Sequence, residues 1–474
     1  MTTENTPHSF FAVRRFEGSI SGENFSMPIG FSAEVDGRGN LNIILDTLPT
    51  SRETFELQRG LSRGQETPLW KLHGVGPKGE ILSSDDFTIT GYRSSDDASG
   101  SKTTLKGQCY EAEIVSTLSE PCTPQFRWGF RRFRSFTGMR QQIEEGMLFA
   151  GGAPPDPNDS QILTGSIVVK SDQSEVPTSW WSAIEDRADH VRRVLSLASG
   201  VYLQPYIEDR LEGTEHRLRI FRRGKTPQPF LSPFHFLNLE PIFKSACQSP
   251  PDVRARFLEL DSALRWLLAP GHYDESRLLG AMTALENIVE QTYPSNKNPL
   301  MKRSVFEKFA KAVRALMREM ALPDAALAKV PELNRANFID KVMRYVSEHG
   351  IVVADFPNGG LDPVIKARNV VVHTGIYFND TPGQIDLWDH ILVARELVIR
   401  ILLDALKFEG NYFSALHGDE QLRFPSCRRL ADDQNIEIPV DDPRGEPRPP
   451  SKPSSRQSQK QESEVAAETD GEQV

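Results

Sequence analysis

Arg368, Asn369 and His373 are the residues whose types and spacing fit positioned chemistry most directly. Cleaving RNA without a metal requires a base to take the 2′-hydroxyl proton and an acid to protonate the departing 5′-oxygen. Histidine suits both tasks near neutral pH. The phosphorane-like transition state needs fixed positive charge, and a guanidinium supplies a bidentate fork of donors. Asn369 follows the arginine directly and shares a helix face with His373, so its amide can orient the histidine or hold the helix end. Arg368 and His373 point about 140° apart on one helix. A composite site shared across a dimer is therefore easier to build than a self-contained one.

Spacing alone does not select this pair. Arg210/His216, Arg265/His272 and Arg344/His349 have similar separations. The first straddles Glu212-Gly213-Thr214, read as the turn of a hairpin between strands at 201–207 and 217–222. The second crosses Pro270-Gly271 at a helix end, and the third ends a helix just before Gly350. Positioned chemistry needs one rigid element. Arg368 to His373 occupies a short helix with Asp362 as N-cap, Pro363 in the first turn and Gly375 as the stop. Val364, Ala367 and Val371 give that helix an apolar stripe for a core.

The elements around the motif follow from periodicity. Between about residues 10 and 171, glycines punctuate short stretches of alternating apolar and polar residues, the pattern of half-buried strands. GGAPPDPNDS at 151–160 reads as a loop. A helix is expected over 179–197, capped by Ser179 and stopped by Gly200. Helical spacing follows over 254–268, 276–291, 305–320 and 336–348, and Thr381 before Pro382 opens a last helix running to about Phe408. The expectation is an α+β multidomain fold: a sandwich- or barrel-like β-rich domain over 1–172, an αβ connector over 173–250, an all-α bundle over 251–420, and a disordered polar tail over 421–474.

The net charge of −10 does not advertise generic nucleic-acid binding. Eleven acidic residues against seven basic ones follow Cys427, a local excess too distant to screen a site in the folded part. The four scattered cysteines (Cys109, Cys122, Cys247, Cys427) have no paired spacing, which argues against a disulfide framework or a zinc site and suits a reducing compartment. The N-terminus shows no secretory pattern, and the most apolar run, 390–406, is broken by Arg395, Glu396, Arg400 and Asp404. A cytoplasmic protein without a membrane segment, metal or cofactor is the expectation.

The segment KARNVVVHTG at 366–375 resembles the active-site motif of the HEPN superfamily, and most closely its Apea-like branch. FEGSISG at 16–22 and GEILSSDDF at 79–87 are similar to the β-rich domain that precedes the bundle in that branch. LLGAMTALENIVE at 278–290 resembles the first bundle helix, where an acidic residue such as Glu286 faces the site. The likeness covers most of residues 10–415. It implies a metal-independent endoribonuclease, dimeric through its HEPN bundle, of a kind often deployed in antiviral defence by abortive infection. Arg368 would contact the scissile phosphate, His373 would act in acid–base catalysis and Asn369 would orient them. The β-rich region would sense a trigger, a phage component or nucleic acid, or restrain activity.

FRWGFRRFRSFTGMR at 126–140 interleaves Arg127, Arg131, Arg132 and Arg134 with aromatic rings, a combination that single-stranded nucleic acid uses. Alternation through residue 130 equally describes a strand with its rings in the core and its arginines in water. RLRIFRRGK at 217–225 reads as an ordinary hairpin face. No P-loop, Rossmann fingerprint, HExxH or nucleophile elbow is present. The reading is a two-part effector whose C-terminal domain cleaves RNA. The alternative keeps the bundle without catalysis, as a module for dimerisation or for binding RNA or protein.

Overall fold

Strict alternation of burial shapes the first part of the chain. A computed structural model describes residues 13–429 except 24, 50–51, 59–60, 62–67, 98–99, 136, 155–158, 160, 222, 295–299, 335, 358–359 and 379–384. In chain order come β1 (Arg14–Gly22), β2 (Phe25–Val35), β3 (Leu41–Leu45), β4 (Leu48–Pro49), α1 (Arg52–Gln58), β5 (Trp70–Val75), β6 (Ile81–Asp97) and β7 (Gly100–Cys109). β1 buries Phe16 and Ile20, β3 buries Leu41, Ile43 and Leu45, and β5 buries Trp70 and Leu72, each two residues apart or a multiple of two. Pairing runs β1–β2–β3–β7–β6–β5 and returns to β1, antiparallel throughout, so six strands close a barrel and leave no free edge among themselves. Gly18 is required where β1 crosses β5, since a Cβ there would stand 1.9 Å from the His73 carbonyl oxygen.

The next strand leaves the barrel. β8 (Glu111–Arg131) pairs with β6 near its start, then carries the same continuous sheet beyond the barrel through β11 (Leu163–Lys170), β10 (Gly146–Gly152) and β9 (Met139–Ile143). α2 (Thr178–Ser199) follows and ends on Gly200 at φ 66°, the left-handed cap expected there. Its first turn starts at Thr178 after Pro177, two residues earlier than a Ser179 cap allows. β12 (Pro205–Phe221) corrects the expected hairpin. It is one strand paired with β8 along its whole length, and Gly213 at φ 55° sits in a bulge within it. A glycine in that conformation serves a turn or a bulge equally, and only the presence of a long partner strand decides which.

The helices are α3 (Glu240–Gln248), α4 (Pro251–Glu259), α5 (Asp261–Leu267), α6 (Asp274–Thr292), α7 (Arg303–Glu319), α8 (Asp324–Ala328), α9 (Phe338–His349), α10 (Leu361–Thr374) and α11 (Leu387–Ala405). The single helix expected over 254–268 is two, broken at Leu260 (φ −88°, ψ 5°), with Asp261 held by Arg193 at 3.0 Å and Arg265 at 2.7 Å. α10 is capped by Gly360 rather than Asp362, because Leu361 is already helical. The Thr381–Pro382 start signal lies outside the described residues, as does half of the expected 151–160 loop, whose Gly151 and Gly152 belong to a strand, and α11 opens after Asp386. α6 packs against α5, α9, α10 and α11.

Two further expectations are corrected. The boundaries at 172 and 250 do not separate cores. Phe126 and Phe130 of β8 and Ile167 of β11 share one apolar cluster with Ile184 and Val191 of α2 and with Leu285, Val371 and Leu397 of the helical region. Ile207, Leu218 and Ile220 of β12 belong instead to the barrel cluster. The polar tail does not begin at 421: β13 (Gly410–Ser414), β14 (Glu420–Phe424) and β15 (Arg428–Arg429) form a small antiparallel sheet. Tyr412 anchors it by donating to Glu396 of α11 at 2.7 Å and accepting from Arg400 at 3.1 Å. Residues beyond 429 lie outside the described part. The molecule is thus α+β, with a six-stranded barrel near its N-terminus and a helical C-terminal region. No helix among the described residues is long and apolar enough to cross a membrane.

Candidate functional site

α10 carries Arg368, Asn369 and His373 on a helix closed at its C-terminal end and packed along one side. Leu361, Val364, Ala367 and Val371 are buried, the inward stripe that periodicity predicts. Gly375 closes the helix at φ 78°, its N–H donating to the Val371 carbonyl at 2.8 Å. The outward face holds Asn369, Val370, Val372 and His373, all exposed, and Arg368 lies half-buried at the margin.

Arg368 reaches sideways onto α6. Its Nη2 donates to Glu286 Oε1 at 2.7 Å, and its Nη1 donates to the side-chain oxygen of Asn369 at 3.2 Å. The guanidinium is therefore oriented by a carboxylate and an amide, with its remaining N–H donors available to an incoming anion. Asn369 acts on the arginine, not on the histidine. Glu286 of α6 is the carboxylate that meets this arginine. His373, one turn further along, is exposed and has no hydrogen bond among the described residues. Clefts of about 950, 430, 420 and 360 Å³ are lined by other residues. Neither Arg368 nor His373 lines any of these four clefts.

No family model, curated protein or solved structure matches the chain. The geometry stands by itself. Among the described residues no group of three His, Cys, Asp or Glu side chains is arranged to hold a metal ion.

The competing Arg/His pairs resolve into structural roles or separate surroundings. His216 is buried against Asp209 at 2.8 Å, while Arg210 pairs with Glu208 at 2.7 Å on the same strand. Arg265 is tied to Asp261 at 2.7 Å, whereas His272 lines a cleft between α5 and α6. Arg344 pairs with Glu348 at 2.7 Å, and His349 stacks on Tyr345 and bonds Asp404 at 3.1 Å.

The arginine–aromatic stretch is not one RNA-binding face. Phe126, Trp128, Phe130 and Phe133 are buried, as strand alternation requires. Arg131 is corrected from a contact residue to a core residue. It is 4% exposed, donates to the Arg38 carbonyl at 2.8 and 2.6 Å and lies 3.7 Å over the Tyr206 ring. Arg127 is half-buried on β8. Arg132, with φ 59°, and the exposed Arg134, stacked 3.5 Å over Phe236, line the 430 Å³ cleft with His235 and Phe413. Arg217 and Arg219 of the second basic run are paired with Glu113 and Glu111 at 3.1 and 2.5 Å, an ordinary ion-paired strand face.

Sequence reasoning missed two constellations. Ser116 Oγ, His216 and Asp209 form a line, at 3.2 Å to Nδ1 and 2.8 Å to Nε2. With His216 and Asp209 both buried in the β8–β12 ladder, it braces the bulge and offers a substrate no approach. The fully buried Arg400 bonds Asp355 through both Nη atoms at 2.8 and 2.7 Å, Glu396 at 2.9 Å and the Val352 carbonyl at 2.6 Å, and His417 adds a bond to Asp355 at 2.8 Å. This network fastens α11 to the loop before α10 and to the C-terminal sheet. Glu396 and Arg400 are an i,i+4 pair open to local reading, but Asp355 and His417, and Ser116 in the first constellation, come from distant parts of the chain and leave no local signal.

Proposed function

We propose that this chain is a metal-independent endoribonuclease of the HEPN type, Apea-like, cytoplasmic, and active as a homodimer in antiviral defence by abortive infection. The observation that carries the reading is the Glu286–Arg368–Asn369 arrangement beside an exposed His373 on one rigid helix. A half-exposed, oriented guanidinium suits a scissile phosphate, and an accessible imidazole suits transfer of the 2′-hydroxyl and leaving-group protons. Since Arg368 and His373 point about 140° apart on one helix, the histidine of a second copy would complete each site. The β-rich region, whose FEGSISG and GEILSSDDF segments lie on β1 and at the start of β6 to either side of β5, would sense the trigger or restrain the nuclease.

The test is RNA cleavage by the purified full-length protein in EDTA, alone and with phage lysate as trigger. His373→Ala is expected to abolish cleavage while keeping the melting temperature, because the side chain is exposed. Cleavage retained in that variant sinks the catalytic assignment. Triggered wild-type protein that binds RNA without turnover favours the non-catalytic binding module instead.

A further inference from the structure

A cleft of about 360 Å³ opens where the end of α5, the first turns of α6 and residues 227–230 meet α11. Arg395 of α11 lines it and is 4% exposed. Its Nη1 donates to the Leu267 carbonyl at 2.8 Å and its Nη2 to the Phe230 carbonyl at 3.1 Å, while its buried Nε has no hydrogen-bond partner. Neutral carbonyls satisfy N–H groups but supply no countercharge. Among the described residues no carboxylate pairs with this guanidinium, and burial, with Arg277 nearby, pushes its pKa down to about 10, so it stays charged at neutral pH. A buried cation in this state is costly unless an anion joins it.

A second cation faces the same space. Arg277 of α6 lines the cleft, and its guanidinium carbon lies 4.3 Å from the centre of the Phe230 ring, against 4.7 Å for Arg395. Arg277 also pairs with Asp274 at 2.7 Å, which orients it and neutralises part of its charge. Trp266, partly exposed, and His272 line the cleft as well. If Arg395 served only to cap the α5 carbonyl, neither the open cleft nor the second guanidinium would be needed.

We propose that this cleft binds a nucleotide-sized phosphate ester, with its phosphate between Arg395 and Arg277 and its planar base against Trp266 and His272. Two planar donor forks suit a tetrahedral dianion, which can accept from both at once; the single plane of a carboxylate matches one fork. The cleft lies within the roughly 300–1,000 Å³ range of small-ligand sites, and exposed rings accept bases by stacking. The binding claim does not depend on nuclease activity.

The test uses the full-length protein in phosphate-free buffer, with AMP, UMP, inorganic phosphate, adenosine and succinate as probes in calorimetry and thermal unfolding. AMP or UMP is expected to bind and raise the melting temperature by about 2–4 °C. Phosphate alone should bind at least tenfold more weakly, and adenosine and succinate more weakly still. Arg395→Met should lose nucleotide binding while its unliganded form melts no lower than wild type, because an uncompensated buried charge has been removed. Arg277→Gln, nearer the surface, should weaken binding at least tenfold and covers the case in which the first variant fails to fold. His373→Ala should bind as wild type does, which separates this cleft from the proposed nuclease site. Absence of nucleotide binding, or unchanged affinity in Arg277→Gln, overturns the proposal. Succinate binding as tightly as AMP overturns the phosphate assignment.

Discussion

Nη2 of Arg368 on α10 meets Oε1 of Glu286 on α6 at 2.7 Å, joining residues 82 positions apart. The pair is partly exposed on both sides, so solvent screens it and its contribution to stability is at most about 1 kcal/mol. Arg368→Ala and Glu286→Gln are therefore expected to unfold at nearly the wild-type denaturant midpoint. On the nuclease reading, Arg368→Ala lowers single-turnover cleavage about 10²–10³-fold. Glu286→Gln lowers it less, because the arginine remains but is no longer held by a charge. Cleavage and stability falling together in both variants would make the pair structural.

The outward side of α10 and the segment after it are unusually apolar: Val370 is 41% exposed, Val372 48%, Ile376 50% and Phe378 58%. Apolar side chains gathered around an exposed histidine suit burial by a second copy. Val372→Asp is expected to raise the dimer dissociation constant at least tenfold, or about 1.4 kcal/mol. Sedimentation equilibrium measures this, and cleavage should decline with the dimer fraction. Wild-type protein that stays monomeric at concentrations where it cleaves RNA would end the composite-site reading.

His190 on α2 is 2% exposed, lies edge-on to Phe257, and has neither ring nitrogen hydrogen-bonded. Burial, reinforced by Arg254, Arg193 and Arg187, pushes its pKa down from 6.5 to about 3. The folded value lies below the unfolded one, so between these limits the unfolded chain holds a proton that the folded chain does not. The stability tied to the neutral ring is complete above pH 6.5 and is lost progressively toward pH 3. Urea midpoints of His190→Phe should consequently fall less steeply than those of wild type over that window. Parallel pH profiles would show that His190 does not set the acid sensitivity.

Local signals carried far where one element was sufficient. The inward stripe of α10, its Gly375 stop and the Gly200 stop of α2 are visible in the sequence because helix periodicity and left-handed caps are properties of a few adjacent residues. The same reasoning failed at Gly213, where bulge and turn need the same backbone, and at Leu260, where a break occurs without proline or glycine. Arg131 shows the limit most clearly. Its neighbours predict an outward arginine, but the Arg38 carbonyl and the Tyr206 ring, brought from opposite ends of the β region, draw it inside.

The sequence by itself determined which helix carries Arg368, Asn369 and His373 and which side of that helix faces the core, since both depend on spacing within a single turn or two. The tertiary structure alone decided that Glu286 holds the arginine, that Asn369 serves it too, and that the histidine is left to solvent. It also closed six strands into a barrel and left Arg395 charged and unaccompanied beside a cleft. Apart from the contact between the neighbours Arg368 and Asn369, these depend on residues many positions apart in the chain. Their meeting is set by sheet closure and helix packing, which no local pattern records.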